Sequence, residues 1–234
     1  TEGGDLFQGG SIGIMKDYGG WAGRVLQVDL TTGEFTHRDV RDHVLKYVGG
    51  RGMGAALAWD LLHPGIGPFD PQNPLMFLTG PLTGTRAPAA GRTTICSLTP
   101  QGYPYSWFSR ASMGGNLGHH IKYAGYDGLV FVGKAAIPTL FVLFDDEARL
   151  IEAQDLWGLD IMETRRVLRQ RWDSKVQIAT IGPAGENLSR IATIGTNEGS
   201  AAGQGGFGAV MGAKNLKALA VYGTGRPTIA DEEG

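Results

Sequence analysis

The chain has 234 residues, enough to bury a substantial core, and its formal charge of -2 gives neither nucleic acid nor an anionic membrane an electrostatic reason to bind. A single cysteine, Cys96, excludes an internal disulfide and any site built from several thiolates, and it fits a reducing, cytoplasmic setting. Glycine is in excess: 38 residues, against roughly 7% in average proteins, sit in non-periodic clusters that point to close backbone approaches.

Residues 1–14, "TEGGDLFQGGSIGI", lack the charged and apolar regions of a signal peptide. They read as a tag remnant or disordered leader, with the folded domain at 15–234. "GRVLQVDLTTGEFTHRDV" then reads as strand, Thr-Thr-Gly turn and strand, with Leu26, Val28 and Leu30 on one face. Helical stretches follow around Val44 to Val48 and Met53 to Leu62, separated by "GGRG", and the loop "HPGIGPFDPQNP" leads to a strand at Leu75. "GLVFVG" and "TLFVLF" are buried-strand runs, "DDEARLIEA" turns into another strand, and Ile161 to Trp172 has helical spacing. "VQIATIG", "RIATIG" and "KALAVYG" complete the sheet material. No apolar stretch reaches the roughly 18 to 20 residues that span a bilayer.

An internal repeat organises these elements. "LMFLTGP", a glycine-rich loop and Arg92-"TTICS" recur as "VQIATIGP", a shorter loop and Arg190-"IATIG". Each copy continues through a second loop to a double glycine, Gly114-Gly115 or Gly205-Gly206, then a helix and a buried strand closed by Gly133 or Gly223. The expected fold is α+β: two β-rich related halves, at about 75–135 and 176–224, with a few short helices. Two similar sets of glycine-rich loops suit a ligand with two similar parts.

The motifs exclude several chemistries. "GQGGFG" at Gly203 to Gly208 meets the G-x-G-x-x-G pattern, but it does not follow a strand directly and no acid-tipped strand succeeds it, so it is a weak dinucleotide signal. Its amides still suit a phosphate. His119 and His120 are adjacent and cannot face one metal from a helix. No H-E-x-x-H, C-x-x-C or G-x-S-x-G pattern occurs. Cys96 lies mid-strand as a small hydrophobe, the five tryptophans are scattered as packing residues, and Trp107 and Phe108 are candidates to line a planar ligand. The loop "GPLTGTRAPAAGR" carries two arginines and no acid.

"GWAGRVLQVDLTTGE", "YVGGRGMGA", "GPLTGTRAPAAGR", "YAGYDGLVFVGKA", "IGPAGENL" and "GAVMGAKNLKALAV" resemble, in this order, the N-terminal domain of aldehyde ferredoxin oxidoreductases across about Tyr18 to Asp231. The resemblance implies two related halves forming the base of a bis-pyranopterin tungsten, or molybdenum, cofactor. It implies cofactor contacts at Arg92, Ser112, Gly114, Ser200, Ala201, Gly203 and Gln204. The commoner residues are asparagine where Ser112 stands and arginine where Ser200 and Gln204 stand, which puts phosphate recognition by the second loop in question. It further implies magnesium between the pterin phosphates, held through backbone carbonyls near Ser112 and Ala201. The family's [4Fe-4S] cysteines lie beyond this domain, and one cysteine cannot replace them. The activity implied is oxidation of an aldehyde to a carboxylic acid with ferredoxin as electron acceptor, in partnership with C-terminal domains or a further subunit. The chain alone is expected to be inactive, and other family members reduce aryl-CoA substrates. The competing reading is a non-catalytic module that carries a pterin or another phosphorylated ligand.

Overall fold

The alternating apolar positions of the opening segment form an antiparallel hairpin of β1 (Arg24–Asp29) and β2 (Glu34–Asp39), which buries Leu26 and Val28. The computed structural model describes residues 19–172, 174–197 and 199–231, and the leader read at residues 1–14 lies outside them. After the hairpin come α1 (Arg41–Tyr47), α2 (Gly50–Leu61), β3 (Leu75–Leu78), β4 (Thr93–Leu98), β5 (Phe108–Met113), α3 (Leu117–Tyr123) and β6 (Gly128–Val132). The six strands form one sheet in the order β2-β1-β6-β3-β4-β5.

The chain then repeats this plan. β7 (Thr139–Phe144) and β8 (Glu147–Glu152) make a hairpin, followed by a 3-10 turn at Gln154–Leu156 and α4 (Ile161–Arg171). β9 (Gln177–Thr180), α5 (Pro183–Glu186), β10 (Ile194–Thr196), β11 (Ala201–Ala202), α6 (Phe207–Ala213) and β12 (Leu216–Tyr222) complete it. The second sheet runs β11-β10-β9-β12-β7-β8, the same order strand for strand. In each sheet the last strand lies parallel to the first strand of the hairpin, and every other pairing is antiparallel. This mixed pattern appears twice, and it identifies two related β-rich halves.

Three apolar clusters set the layers. The largest lies between the sheets and joins Phe77 and Phe131 of one to Phe141 and Leu219 of the other, with Ile121 of α3 and Val210 of α6 inside it. The rings of Phe131 and Phe141 meet edge to face at 5.0 Å. The outer face of the first sheet packs Met76, Leu78 and Cys96 against Val44, Met53 and Leu57 of α1 and α2. The outer face of the second packs Leu140, Ile178 and Ala220 against Leu168 of α4. Cys96 is fully buried, and desolvation pushes its thiol up to about 12, so packing is its role. Helix α2 lies so close to β4 that a Cβ on Gly54 would stand 2.6 Å from the Cys96 sulfur.

Three local expectations are corrected. "GGRG" does not separate the helices, because Gly50 to Gly52 form the first turn of α2 and the reversal is made by Val48, with φ 66, and Gly49. The segment before each double glycine is a strand, β5 or β11, because its backbone pairs with β4 or β10 at the sheet edge. The leading hairpins also belong to the duplication, although their surface-facing residues are too dissimilar to reveal it in sequence.

Candidate functional site

β4 and β5 pair Thr94 with Ser112 and Cys96 with Arg110. Because side chains alternate along a strand, these residues share the face that α2 covers. Past the first turn of α2 that cover ends, and a groove of about 540 Å³ opens between Gly49-Gly50, the loop after β3 and the edge formed by Thr94, Arg110 and Ser112. The loop is pinned from within: the Thr83 hydroxyl accepts from the Gly80 amide at 3.2 Å, and the Tyr123 hydroxyl donates to the Gly84 carbonyl at 3.1 Å.

Arg51, Arg92 and Arg110 line the groove, and no acidic residue does. Among the described residues none of the three makes an ion pair. Three uncompensated guanidinium groups on one concave surface attract anions, and their forked donors match phosphate or carboxylate oxygens. The first turn of α2 adds to this field: its Gly49 cap has no side chain, and no side chain caps its amides.

The sequence-predicted residues fall into two groups. Arg92 and Ser112 line the groove. Gly114 follows β5 and meets the other half, since a Cβ there would stand 2.9 Å from the Ser200 hydroxyl. Ser200 turns back through its carbonyl, which accepts from the Thr196 amide at 2.8 Å, and places Ala201 opposite Gly195 in β11. Gly203 and Gln204 are exposed beyond it and do not line the groove.

The neighbouring Gly205 is held by the first half: its carbonyl accepts from the Thr99 hydroxyl at 2.7 Å and its amide donates to Gln101 Oε1 at 3.0 Å. The sequence repeat equates Arg92 with Arg190, but the two differ in use. Arg190 donates to the Pro100 carbonyl at 2.7 Å and packs over the rings of Phe69 and Tyr103, so it fastens the halves together.

Other candidates are structural. Gly206 caps α6 with φ 64, and a Cβ there would stand 2.0 Å from the Arg190 carbonyl of its own half and 3.0 Å from the Pro100 ring of the other, so "GQGGFG" answers to close packing. His120 stacks on Tyr222 and accepts from the Gly223 amide at 3.2 Å. Phe108 packs in the outer cluster, whereas Trp107 is exposed. Among the described residues no group of three or more His, Cys, Asp or Glu could hold a metal ion, and no helix is long and apolar enough to cross a membrane. Sequence reasoning missed Arg51 and Arg110. The usable signal was the period of two in "FSRASM", which places Arg110 and Ser112 on one face once β5 is read as a strand.

The domain is thus a duplicated pair of six-stranded sheets whose first half carries an acid-free groove lined by three arginines. Residues 25–223 match the family described as aldehyde ferredoxin oxidoreductase, N-terminal domain. The chain is 40% identical over 216 residues to the tungsten-containing aldehyde ferredoxin oxidoreductase of Pyrococcus abyssi, covering 91% of this chain and 35% of that protein. It is likewise 40% identical over 218 residues to the enzyme of the same description from Pyrococcus furiosus, covering 92% and 35%. Among solved structures, the active-site complex BamBC of benzoyl-coenzyme A reductase with 1,5-dienoyl-CoA superposes with a TM-score of 0.85 at 36% identity, over 89% of this chain and 32% of that one. The chain belongs to the aldehyde ferredoxin oxidoreductase family and corresponds to its N-terminal domain. It spans about a third of the length of these oxidoreductases, 35% of each.

Proposed function

We propose that this domain holds the pterin-bound tungsten, or molybdenum, of an oxidoreductase that converts an aldehyde and water to a carboxylic acid. The two electrons released would leave through an iron–sulfur cluster carried by the rest of the enzyme and reach ferredoxin. The observation that carries this reading is the acid-free groove in which Arg51, Arg92 and Arg110 face one cavity. A phosphorylated pterin fits such a donor set, because guanidinium groups bind phosphate oxygens in pairs and no carboxylate competes for them.

In this reading Arg92 grips a phosphate from the first half, with Ser112 beside it. Gly114 and Ser200 bring the second half close enough for the backbone of Ala201 and Gly203 to contribute, with Gln204 as a neutral donor. Magnesium between the phosphates would be held by the carbonyls of Ser112 and Ala201. When bound, the metal–dithiolene centre supplies the redox chemistry. This chain orients it and neutralises phosphate charge, while the substrate-facing and cluster-binding residues belong to the remaining domains, carried as further chain or as a partner subunit.

Metal and pterin analysis of the complete protein tests the proposal. Tungsten or molybdenum together with pterin and iron is expected, along with viologen reduction driven by aldehydes. Pterin bound without metal or iron would favour a carrier module. Reduction driven only by a dienoyl-CoA would move the substrate class to that of the benzoyl-coenzyme A reductase relative.

A further inference from the structure

Where α3 packs on β9 and β12, a second cavity of about 440 Å³ opens between the halves, and none of its lining residues belongs to the arginine groove. The repeat explains why it is open. In the corresponding corner of the first half, α6 ends on Lys214, whose ammonium bridges the space by donating to the Pro71 and Gly133 carbonyls. α3 ends instead on Ala124, which has no side chain to reach across, and the connection before β9, 172–176, is shorter than the one before β3, 62–74.

Tyr123, Gln177, Tyr222 and Arg226 line this cavity, and no acidic residue does. Asp145, outside the lining, is taken up by the Thr224 amide at 2.6 Å and hydroxyl at 3.2 Å. The Arg226 guanidinium lies over the Tyr123 ring at 4.2 Å, and its Nη1 donates to the Gly225 carbonyl at 2.7 Å. Its Nε and Nη2 edge has no hydrogen-bond partner among the described residues, and Arg41 uses that same edge to hold the Asp39 carboxylate. Gln177 is only 7% exposed; its Nε2 donates to the Lys175 carbonyl at 2.8 Å, while its Oε1 accepts from no described group. A buried acceptor without a donor is uncommon in folded proteins and marks a place for water or a ligand.

We infer that this cavity is a binding site for a small organic carboxylate whose apolar body carries a hydrogen-bond donor. The preset fork of Arg226 matches the two oxygens of one planar carboxylate. The rings of Tyr123, Tyr222 and His120 supply walls for an apolar body, and Gln177 Oε1 receives its donor. An inorganic phosphate ion leaves most of the space and the ring walls unfilled. The inference does not rest on the proposed function, because it uses no residue of the groove.

The test is calorimetric titration of the complete protein with para-hydroxyphenylacetate. Three further probes each change one feature: phenylacetate lacks the donor, tyrosol lacks the charge, and inorganic phosphate lacks the body. All three are expected to bind more weakly, tyrosol by about tenfold or more. Arg226→Gln, an exposed substitution, is expected to weaken para-hydroxyphenylacetate by about tenfold, and Gln177→Met to erase its advantage over phenylacetate. Arg92→Gln is expected to leave the affinity unaltered, which separates the cavity from the groove. Thermal melting checks each fold, and Arg226→Gln decides the matter if Gln177→Met does not fold. Absence of binding, an affinity within twofold of the unsubstituted protein in Arg226→Gln, or phosphate binding as tightly as para-hydroxyphenylacetate overturns the inference. Binding lost in Arg92→Gln but kept in Arg226→Gln assigns the anion to the groove and overturns it as well.

Discussion

The two halves share a topology but treat their polar groups in opposite ways. In the first half, α2 starts on a glycine with no side-chain cap, and the loop between β3 and β4 stands open around three arginines. In the second half, the equivalent α4 starts on Asp160, whose carboxylate accepts from the Glu163 amide while Glu163 reaches back to the Asp160 amide. The equivalent link between β9 and β10 folds down as α5, where Glu186 forms a buried ion pair with Lys217 and accepts from the Gly158 amide at 2.9 Å. At this edge the second half thus pairs its charges internally, while the first leaves Arg51, Arg92 and Arg110 without an ion pair, although it too buries an ion pair elsewhere, between Lys122 and Asp127.

The sharpest way to break this contrast is at Glu186. Its loss leaves Lys217 buried and uncompensated, so Glu186→Ala is expected to destabilise the protein by about 3–5 kcal/mol in denaturant unfolding. A smaller effect probes how α2 is held without a cap. Gly54→Ala is expected to lose roughly 1–3 kcal/mol from overpacking against Cys96, and adding Cys96→Ala should make the pair less unstable than the two losses summed.

Between the halves lies Lys214, whose ammonium donates to the carbonyls of Pro71 at 2.8 Å and Gly133 at 3.1 Å. Burial lowers this group from 10.5 to about 7. From pH 7 to 10.5 the unfolded chain therefore binds a proton that the folded protein does not, and stability rises with pH across that window. Below pH 7 the penalty for the buried charge is complete. Relative to Lys214→Met, the unsubstituted protein should gain roughly 1–3 kcal/mol between pH 7 and pH 9.5, read from urea midpoints.

Removing the cap of α4 by Asp160→Ala should lose about 1 kcal/mol, a term with no counterpart in the first half. The smallest change is expected at the groove itself. Arg92 is exposed and unpaired, so Arg92→Ala should shift stability by less than about 0.5 kcal/mol while depleting bound cofactor more than Gln204→Ala does. Equal cofactor retention in those two variants would erase the functional side of the contrast.

Much of this was legible in the sequence, because strands buried on both faces write themselves as apolar runs such as "LMFL" and "TLFVLF". The order of elements follows from such runs and from the glycine clusters between them, and the family resemblance from six motifs between about Tyr18 and Asp231. β5 does not show as a strand in the sequence because an edge strand beside a cavity carries polar residues, Arg110 and Ser112 among them, and β11 does not because two residues, Ala201–Ala202, make no pattern. Without β5 the Arg110 and Ser112 side of the groove stays hidden. The divergence of Arg92 and Arg190 was also invisible, since it depends on which aromatic rings the fold brings to each guanidinium. Arg51 sat inside a quoted motif, yet only the position of α2 over β4 shows that it faces the same cavity as Arg92.

The link between the halves, residues 133–138, runs from β6 in one sheet to β7 in the other and is pinned where the Ala135 amide donates to the Lys214 carbonyl at 3.0 Å. A tether this short makes the meeting of the two sheets an intramolecular event, at an effective concentration on the order of millimolar or above. The short link therefore adds to the apolar core between the sheets in keeping them docked. Gly114 and Ser200, which come from different halves and touch only because the sheets are docked, inherit that permanence, and so does any ligand that needs both.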